Sequence, residues 1–139
     1  MTYIDKCLWD YKANLAAIDW LRDEIANLSS LHAQDYDFRQ GSGVSDPVGN
    51  LVSKCQYMEG KIRKLESITR PITRMYEELS GSDMAESQMR EILKLRFFDH
   101  ESRNAVIRKM SISDATYIRR CSAIKERSRK YFGEEQCSS

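Results

Sequence analysis

The sequence lacks the material that membrane, secreted and zinc-binding proteins need. No apolar run comes near the roughly 20 residues that span a bilayer, and the first residues, Met-Thr-Tyr-Ile-Asp-Lys, contain no signal-peptide core. Four cysteines lie far apart with only two histidines, which is a poor ligand set for zinc. We therefore expect a cytoplasmic protein without a metal, whose Cys7, Cys55 and Cys121 are buried free thiols.

Common catalytic motifs are absent as well. The sequence contains no glycine-rich phosphate loop, no Gly-x-Ser-x-Gly, no His-Glu-x-x-His and no calcium loop of the Asp-x-Asp-x-Asp-Gly type. His100 stands between Asp99 and Glu101, and we interpret it as a surface turn residue. We expect no enzymatic activity and no cofactor.

Charge is distributed unevenly along the chain. Residues 1–89 hold 10 Lys and Arg against 14 Asp and Glu, whereas residues 90–131 hold 12 against 5. A surface that binds a polyanion is therefore expected in the C-terminal third. The alternative interpretation is a solvated helix face whose charge has no function.

The N-terminal half has the apolar periodicity of long helices, in a chain with only two prolines and six glycines. One helix is predicted from Ile4 to Leu28, and a second from Asp46-Pro47 to about Leu79, continuing past Pro71 with a bend. The second helix repeats apolar residues at alternating steps of three and four, which predicts coiled-coil packing. We expect an all-α fold in which residues 1–82 form a long antiparallel two-helix hairpin with a loop at 30–47; a second copy of the chain is the competing helix partner.

Residues 83–133 are predicted to form a three-helix unit, followed by a disordered tail at 134–139. Asp83 can cap a helix from Met84 to Phe98, with Glu86 completing a capping box. A short helix, Glu101 to Met110, precedes a tight turn and a basic helix that ends at Gly133.

The turn and the basic helix have the pattern of a helix-turn-helix. Ser113 can accept a hydrogen bond from the backbone N–H of Thr116 at the helix start. The spacing of Tyr117, Cys121 and Ile124 predicts one buried stripe. The side chains expected to point elsewhere are Ala115, Ile118, Arg119 and Ser122.

The segments Met-Arg-Glu-Ile-Leu-Lys-Leu-Arg-Phe-Phe (89–98) and Ser-Ile-Ser-Asp-Ala-Thr-Tyr-Ile-Arg-Arg (111–120) resemble region 4 of sigma-70 factors. More narrowly, they are similar to phage late-gene transcriptional regulators of the ArpU/RinA type. The resemblance covers about residues 86–132. It departs from the usual pattern at Ser111, where glycine is common, at Ile107, where alanine is common, and at Tyr117, where a smaller aliphatic residue is common.

The resemblance implies a phage or prophage regulator that acts in a bacterial host cell and places the last helix in the major groove of double-stranded DNA. Base contacts are then expected from Ala115, Ile118, Arg119 and Ser122. Phosphate contacts are expected from Arg103, Arg108, Lys109, Arg120 and Lys125. The N-terminal hairpin would form a homodimer or bind RNA polymerase. The alternative is a helical adaptor or anti-sigma-like factor that does not bind DNA.

Overall fold

The computed structural model describes residues 2–38 and 47–136, and the side chains within 2–30 and 50–133. All regular elements in these ranges are helical, which confirms the all-α class. They are α1 (Tyr3–Trp9), α2 (Tyr11–Phe38), α3 (Pro47–Glu78), α4 (Met84–Ile92), a π-helical segment (Leu93–Phe98), α5 (Arg103–Met110) and α6 (Asp114–Gln136). None of the described helices is both long and apolar enough to cross a membrane.

The structure divides the predicted first helix at Asp10 into α1 and α2. Helix α2 also extends beyond the predicted end at Leu28. The Trp9 carbonyl lies 2.7 Å from Nε2 of His100 and accepts a hydrogen bond from that nitrogen when the ring carries its proton there. The Ala13 N–H, which would bond this carbonyl in a continuous helix, does not do so. Beyond the break, α2 runs to Phe38, so the predicted loop at 30–47 was wrong for residues 30–38. Residues 39–46, including the expected cap Asp46, lie outside the described residues.

Helix α3 confirms the predicted apolar register. Every register residue whose side chain is described is buried or half-buried: Leu51, Cys55, Met58, Ile62, Leu65, Thr69, Ile72, Tyr76 and Leu79. Pro71 lies inside the helix and removes one backbone hydrogen bond. Because Pro71 and Ile72 are completely buried, their packing offsets that loss and the helix continues, as predicted.

The last helix was expected to end at Gly133, but it continues to Gln136. One glycine costs a helix only about 1 kcal/mol relative to alanine, which is too little to stop it here. The expectation of a disordered tail was therefore wrong for residues 134–136. Residues 137–139 lie outside the described ranges.

The chain divides into two compact units: Met1–Asn14 with Ser67–Ser139 as unit 1, and Leu15–Glu66 as unit 2. The boundary expected between residues 82 and 83 is therefore not the one observed. The reason is that α1 and the C-terminal part of α3 contribute buried residues to unit 1, including Leu8, Ile72 and Met75.

Unit 2 is held by an apolar cluster shared between α2 and α3. Ile18, Leu21 and Ile62 are its buried residues, and Ile25, Met58 and Leu65 pack against them. An ion pair between Arg22 and Glu66 also joins the two helices.

Unit 1 has its core where α4, the π-helical segment and α6 meet. The fully buried side chains here include Ile92, Leu93, Val106 and Ile124. Ser128 is the buried polar residue of α6, and its hydroxyl donates to the Ile124 carbonyl at 2.7 Å. The burial of one side of α6 determines which of its residues face solvent.

Candidate nucleic-acid interface

Helix α4 begins at the predicted cap but without the predicted capping box. The Asp83 carboxylate accepts from the Ala85 N–H at 3.2 Å. Glu86 accepts instead from the Ser80 N–H at 3.1 Å and from Arg127 of α6 at 2.7 Å. Its pKa is lowered by the Arg127 hydrogen bond and by the Ser80 N–H. Glu86 therefore connects α4 to α6 rather than closing a local box.

The helix predicted to reach Phe98 changes at Leu93 into a π-helical segment, a feature that is frequent at functional sites. His100, two residues after the end of the segment at Phe98, has a left-handed backbone, φ 59°, which histidine adopts more often than most residues. Its ring stacks on Trp9 at 3.8 Å between ring centres. The Arg96 guanidinium lies 5.0 Å from the Trp9 ring, so α1 is fixed against the segment that precedes α5.

Helix α5 is capped at both ends. The Ser102 hydroxyl accepts from the Ala105 N–H at 3.2 Å. At the other end Ser111 takes the left-handed conformation, φ 53°, and the Ile112 N–H bonds the Ile107 carbonyl at 3.3 Å. This is the hydrogen-bond pattern of a Schellman motif, whose left-handed position is usually glycine.

The predicted cap of α6 is confirmed. The Ser113 hydroxyl accepts from the Thr116 N–H at 3.1 Å and lies 2.9 Å from the Thr116 hydroxyl, to which it donates. The Ser113 carbonyl accepts the first helical bond, from the Tyr117 N–H at 3.0 Å. Two residues, Ser111 and Ile112, are thus sufficient to separate the end of α5 from the cap of α6.

The buried side chains described on α6 are uncharged, and all except Ser128 are hydrophobic. Tyr117 and Ile124 are buried, as predicted, while Cys121 is half-buried. Burial raises the pKa of both the Tyr117 phenol and the Cys121 thiol. The Arg103 guanidinium lies 5.3 Å from the Tyr117 ring centre and 3.5 Å from the Asp114 carboxylate, which joins α5 to α6.

The four residues predicted to contact bases all lie on the exposed side of α6. They are Ala115, Ile118, Arg119 and Ser122. The Ile118 side chain is 53% exposed. Arg119 has no ion pair or hydrogen bond with any residue in the described part of the chain.

The five residues predicted to contact phosphates differ in their surroundings. Arg108 is exposed without an ion pair to another described residue. Lys109 is exposed and pairs with Glu101. Arg103, as above, connects α5 to α6.

The remaining two are half-buried and engaged within unit 1. The Arg120 Nε donates to the Gln88 amide oxygen at 2.8 Å. The Lys125 ammonium lies 3.5 Å from the Asp5 carboxylate, and the pKa of Asp5 is lowered because its Thr2 hydrogen bonds and Lys125 outweigh its desolvation. Both cations therefore have a structural partner that sequence reasoning did not anticipate.

Sequence reasoning missed a cleft behind α6. It has a volume of about 440 Å³ and is lined by Asp5, Trp9, Arg96, Phe97, Tyr117, Cys121 and Lys125. The only advance signal was the position of Trp9 off the apolar stripe of its helix. The cleft depends on contacts of α1 with the C-terminal elements, which no local pattern encodes.

Comparison of the chain with protein-family models, curated proteins and solved structures gives no match.

Proposed function

We propose that the chain is a transcriptional regulator of the phage or prophage type that binds double-stranded DNA, with α5 and α6 acting as a helix-turn-helix. The observation that carries the proposal is the joint exposure of Ala115, Ile118, Arg119 and Ser122 on the N-terminal half of a capped helix. A recognition helix contacts base edges with residues near its N-terminus.

The chemistry of this face suits a mixed base sequence. Arg119 can donate two hydrogen bonds to a guanine, and the Ser122 hydroxyl can bond several bases. Ala115 and Ile118 can contact thymine methyl groups. Ile118 is exposed, and the neighbouring Arg119 has no partner among the described residues; both observations support a face that binds a ligand.

Phosphate contacts are best supported at Arg108, which is exposed without a described ion pair, and then at Lys109 and Arg103, which are exposed although they pair with Glu101 and Asp114. Arg120 and Lys125 would have to leave Gln88 and Asp5 to reach a phosphate. We therefore assign the nonspecific, salt-dependent part of binding to α5 more than to the second half of α6.

A second candidate is a helical adaptor or anti-sigma-like factor that uses the same face on a protein such as RNA polymerase. The internal pairing of Arg120 and Lys125 favours it, because that pairing reduces the cationic surface available to DNA. The exposed Ile118 side chain suits a protein partner as well as a thymine methyl group.

The test is a pull-down of sheared bacterial and prophage DNA at near-physiological salt with wild type and Arg119→Ala in parallel. Wild type should enrich one or a few promoter fragments, and Arg119→Ala should lose them, since a bidentate arginine–guanine contact is worth about 1–3 kcal/mol. The matched control is Arg129→Ala, an exposed arginine of α6 about 15 Å further along the helix.

A second variant distinguishes sequence-specific base contacts from nonspecific phosphate contacts. Arg108→Ala should weaken binding to all fragments alike and reduce the slope of log affinity against log salt by about 1. Equal, salt-sensitive recovery of every fragment by wild type would contradict the proposal. In that case a partner search with the same three variants would test the adaptor.

A further inference from the structure

Unit 2 exposes two aromatic side chains that its own apolar cluster does not use. Trp20 of α2 is 60% exposed and Tyr57 of α3 is 65% exposed. Exposed tryptophan and tyrosine are frequent anchors of protein interfaces. Single exposed apolar residues need no explanation, so the charges around these two decide whether they belong to an interface.

The charges beside the two aromatic residues have opposite signs. Asp23 and Glu24 lie three and four positions after Trp20 and so share its side of α2; we name them the acidic collar. Lys54 and Lys61 lie three positions before and four after Tyr57; we name them the basic collar. The Lys61 ammonium lies 5.2 Å from the Tyr57 ring centre, which places it on the same side of α3.

In the described part of unit 2, neither collar forms an ion pair between α2 and α3. The ion pair between Arg22 of α2 and Glu66 of α3 has its cation on α2, whereas the collars place negative charge on α2 and positive charge on α3. Both aromatic residues, Asp23 and the two lysines of the basic collar are exposed, and Glu24 is half-buried.

We propose that unit 2 binds a second copy of this chain, with α2 of each protomer on α3 of its partner. A two-fold axis presents the same surface of both subunits to each other. The Trp20 surface with its acidic collar would then meet the Tyr57 surface with its basic collar twice. One chain carries both halves of the match, and this identifies a second copy as the partner.

The inference is independent of DNA binding, because the oligomeric state is measured without DNA. Its consequence for recognition does depend on the proposed function. A dimer presents two helix-turn-helix units and predicts an operator with two-fold symmetry.

The test measures the molar mass of the full chain by light scattering after size exclusion, over a range of concentrations. Wild type should have twice the 16.2 kDa chain mass. The double variants Asp23→Lys/Glu24→Lys and Lys54→Glu/Lys61→Glu should each have the mass of one chain, because like charges then face each other. An equimolar mixture of the two variants should recover the double mass, because opposite charges are restored at both contacts.

The matched control is Glu91→Lys/Glu126→Lys, which makes the same charge change at exposed positions of unit 1 and should keep the double mass. Recovery in the mixture shows that the collar variants are folded, since an unfolded chain would not pair. A single-chain mass for wild type at every concentration would overturn the inference. Double mass in both collar variants, or no recovery in the mixture, would overturn it as well.

Discussion

Glu86 and Arg127 join α4 to α6 by a hydrogen bond of 2.7 Å between carboxylate and guanidinium. This contact, together with the Ser80 N–H, holds the pKa of Glu86 below its usual value of 4.5. The residue thus helps to position the helix that carries the proposed base-contact face.

Glu86→Gln should lower the free energy of unfolding near neutral pH. Because the pKa of Glu86 is lower in the folded chain, its ionisation stabilises the fold above about pH 4.5 and that stabilisation is lost as pH falls through the folded value. The difference between wild type and Glu86→Gln should therefore shrink on acidification in urea unfolding curves. Glu126→Gln, at an exposed position on α6, serves as the control. A difference that does not change with pH would contradict the role of the ionised carboxylate.

The turn between α5 and α6 contains two serines with opposite requirements. Ser111 is left-handed, φ 53°, and Ser113 caps α6. Ser111→Gly should stabilise the chain by about 1 kcal/mol, because glycine adopts this conformation without steric cost. Ser113→Ala should destabilise it by about 1 kcal/mol, because the Thr116 N–H loses its acceptor. Thermal unfolding measures both, and two changes of the same sign would contradict the assigned turn geometry.

Trp9 and His100 provide a test of the contact between α1 and the π-helical segment. His100→Gly and His100→Ala should both destabilise the chain, because each removes the ring stacked on the indole. The free energy of unfolding should be about 1 kcal/mol lower for His100→Ala than for His100→Gly, since a side chain at a left-handed position is strained. Denaturant unfolding followed by circular dichroism gives the comparison. Equal stability of the two variants would show that the left-handed backbone is not retained.

Local features of unit 1 could be predicted from the sequence because each depends on neighbouring residues. The caps at Asp83 and Ser113 follow from side-chain acceptors placed before a helix start. The exposed side of α6 follows from the spacing of Tyr117 and Ile124.

Long-range contacts could not be predicted in this way. Trp9 and His100 are 91 positions apart, and nothing in either local sequence indicates the pairing. The same reason explains why Lys125 was expected on a phosphate rather than beside Asp5. It also explains the domain boundary, because α1 joins unit 1 through contacts of this kind.

Gly133 tests where α6 ends. The structure continues the helix to Gln136, and a Cβ at Gly133 would meet no other atom within 4 Å. Gly133→Ala should therefore stabilise the chain by about 0.5 kcal/mol, somewhat less than the full difference between the two residues because the site is near the helix end.

Gly60→Ala is the matched change inside α3, where the nearest atom to a new Cβ is Arg63 Nη2 at 3.9 Å. It should stabilise by up to about 1 kcal/mol, measured like Gly133→Ala as the shift of the urea midpoint at constant slope. If Gly133 ended the helix in a left-handed conformation, alanine would be strained there and would destabilise the chain. Stabilisation at Gly60 with destabilisation at Gly133 would therefore restore the C-terminal stop that the sequence predicted, whereas stabilisation at both positions supports a helix that continues past it.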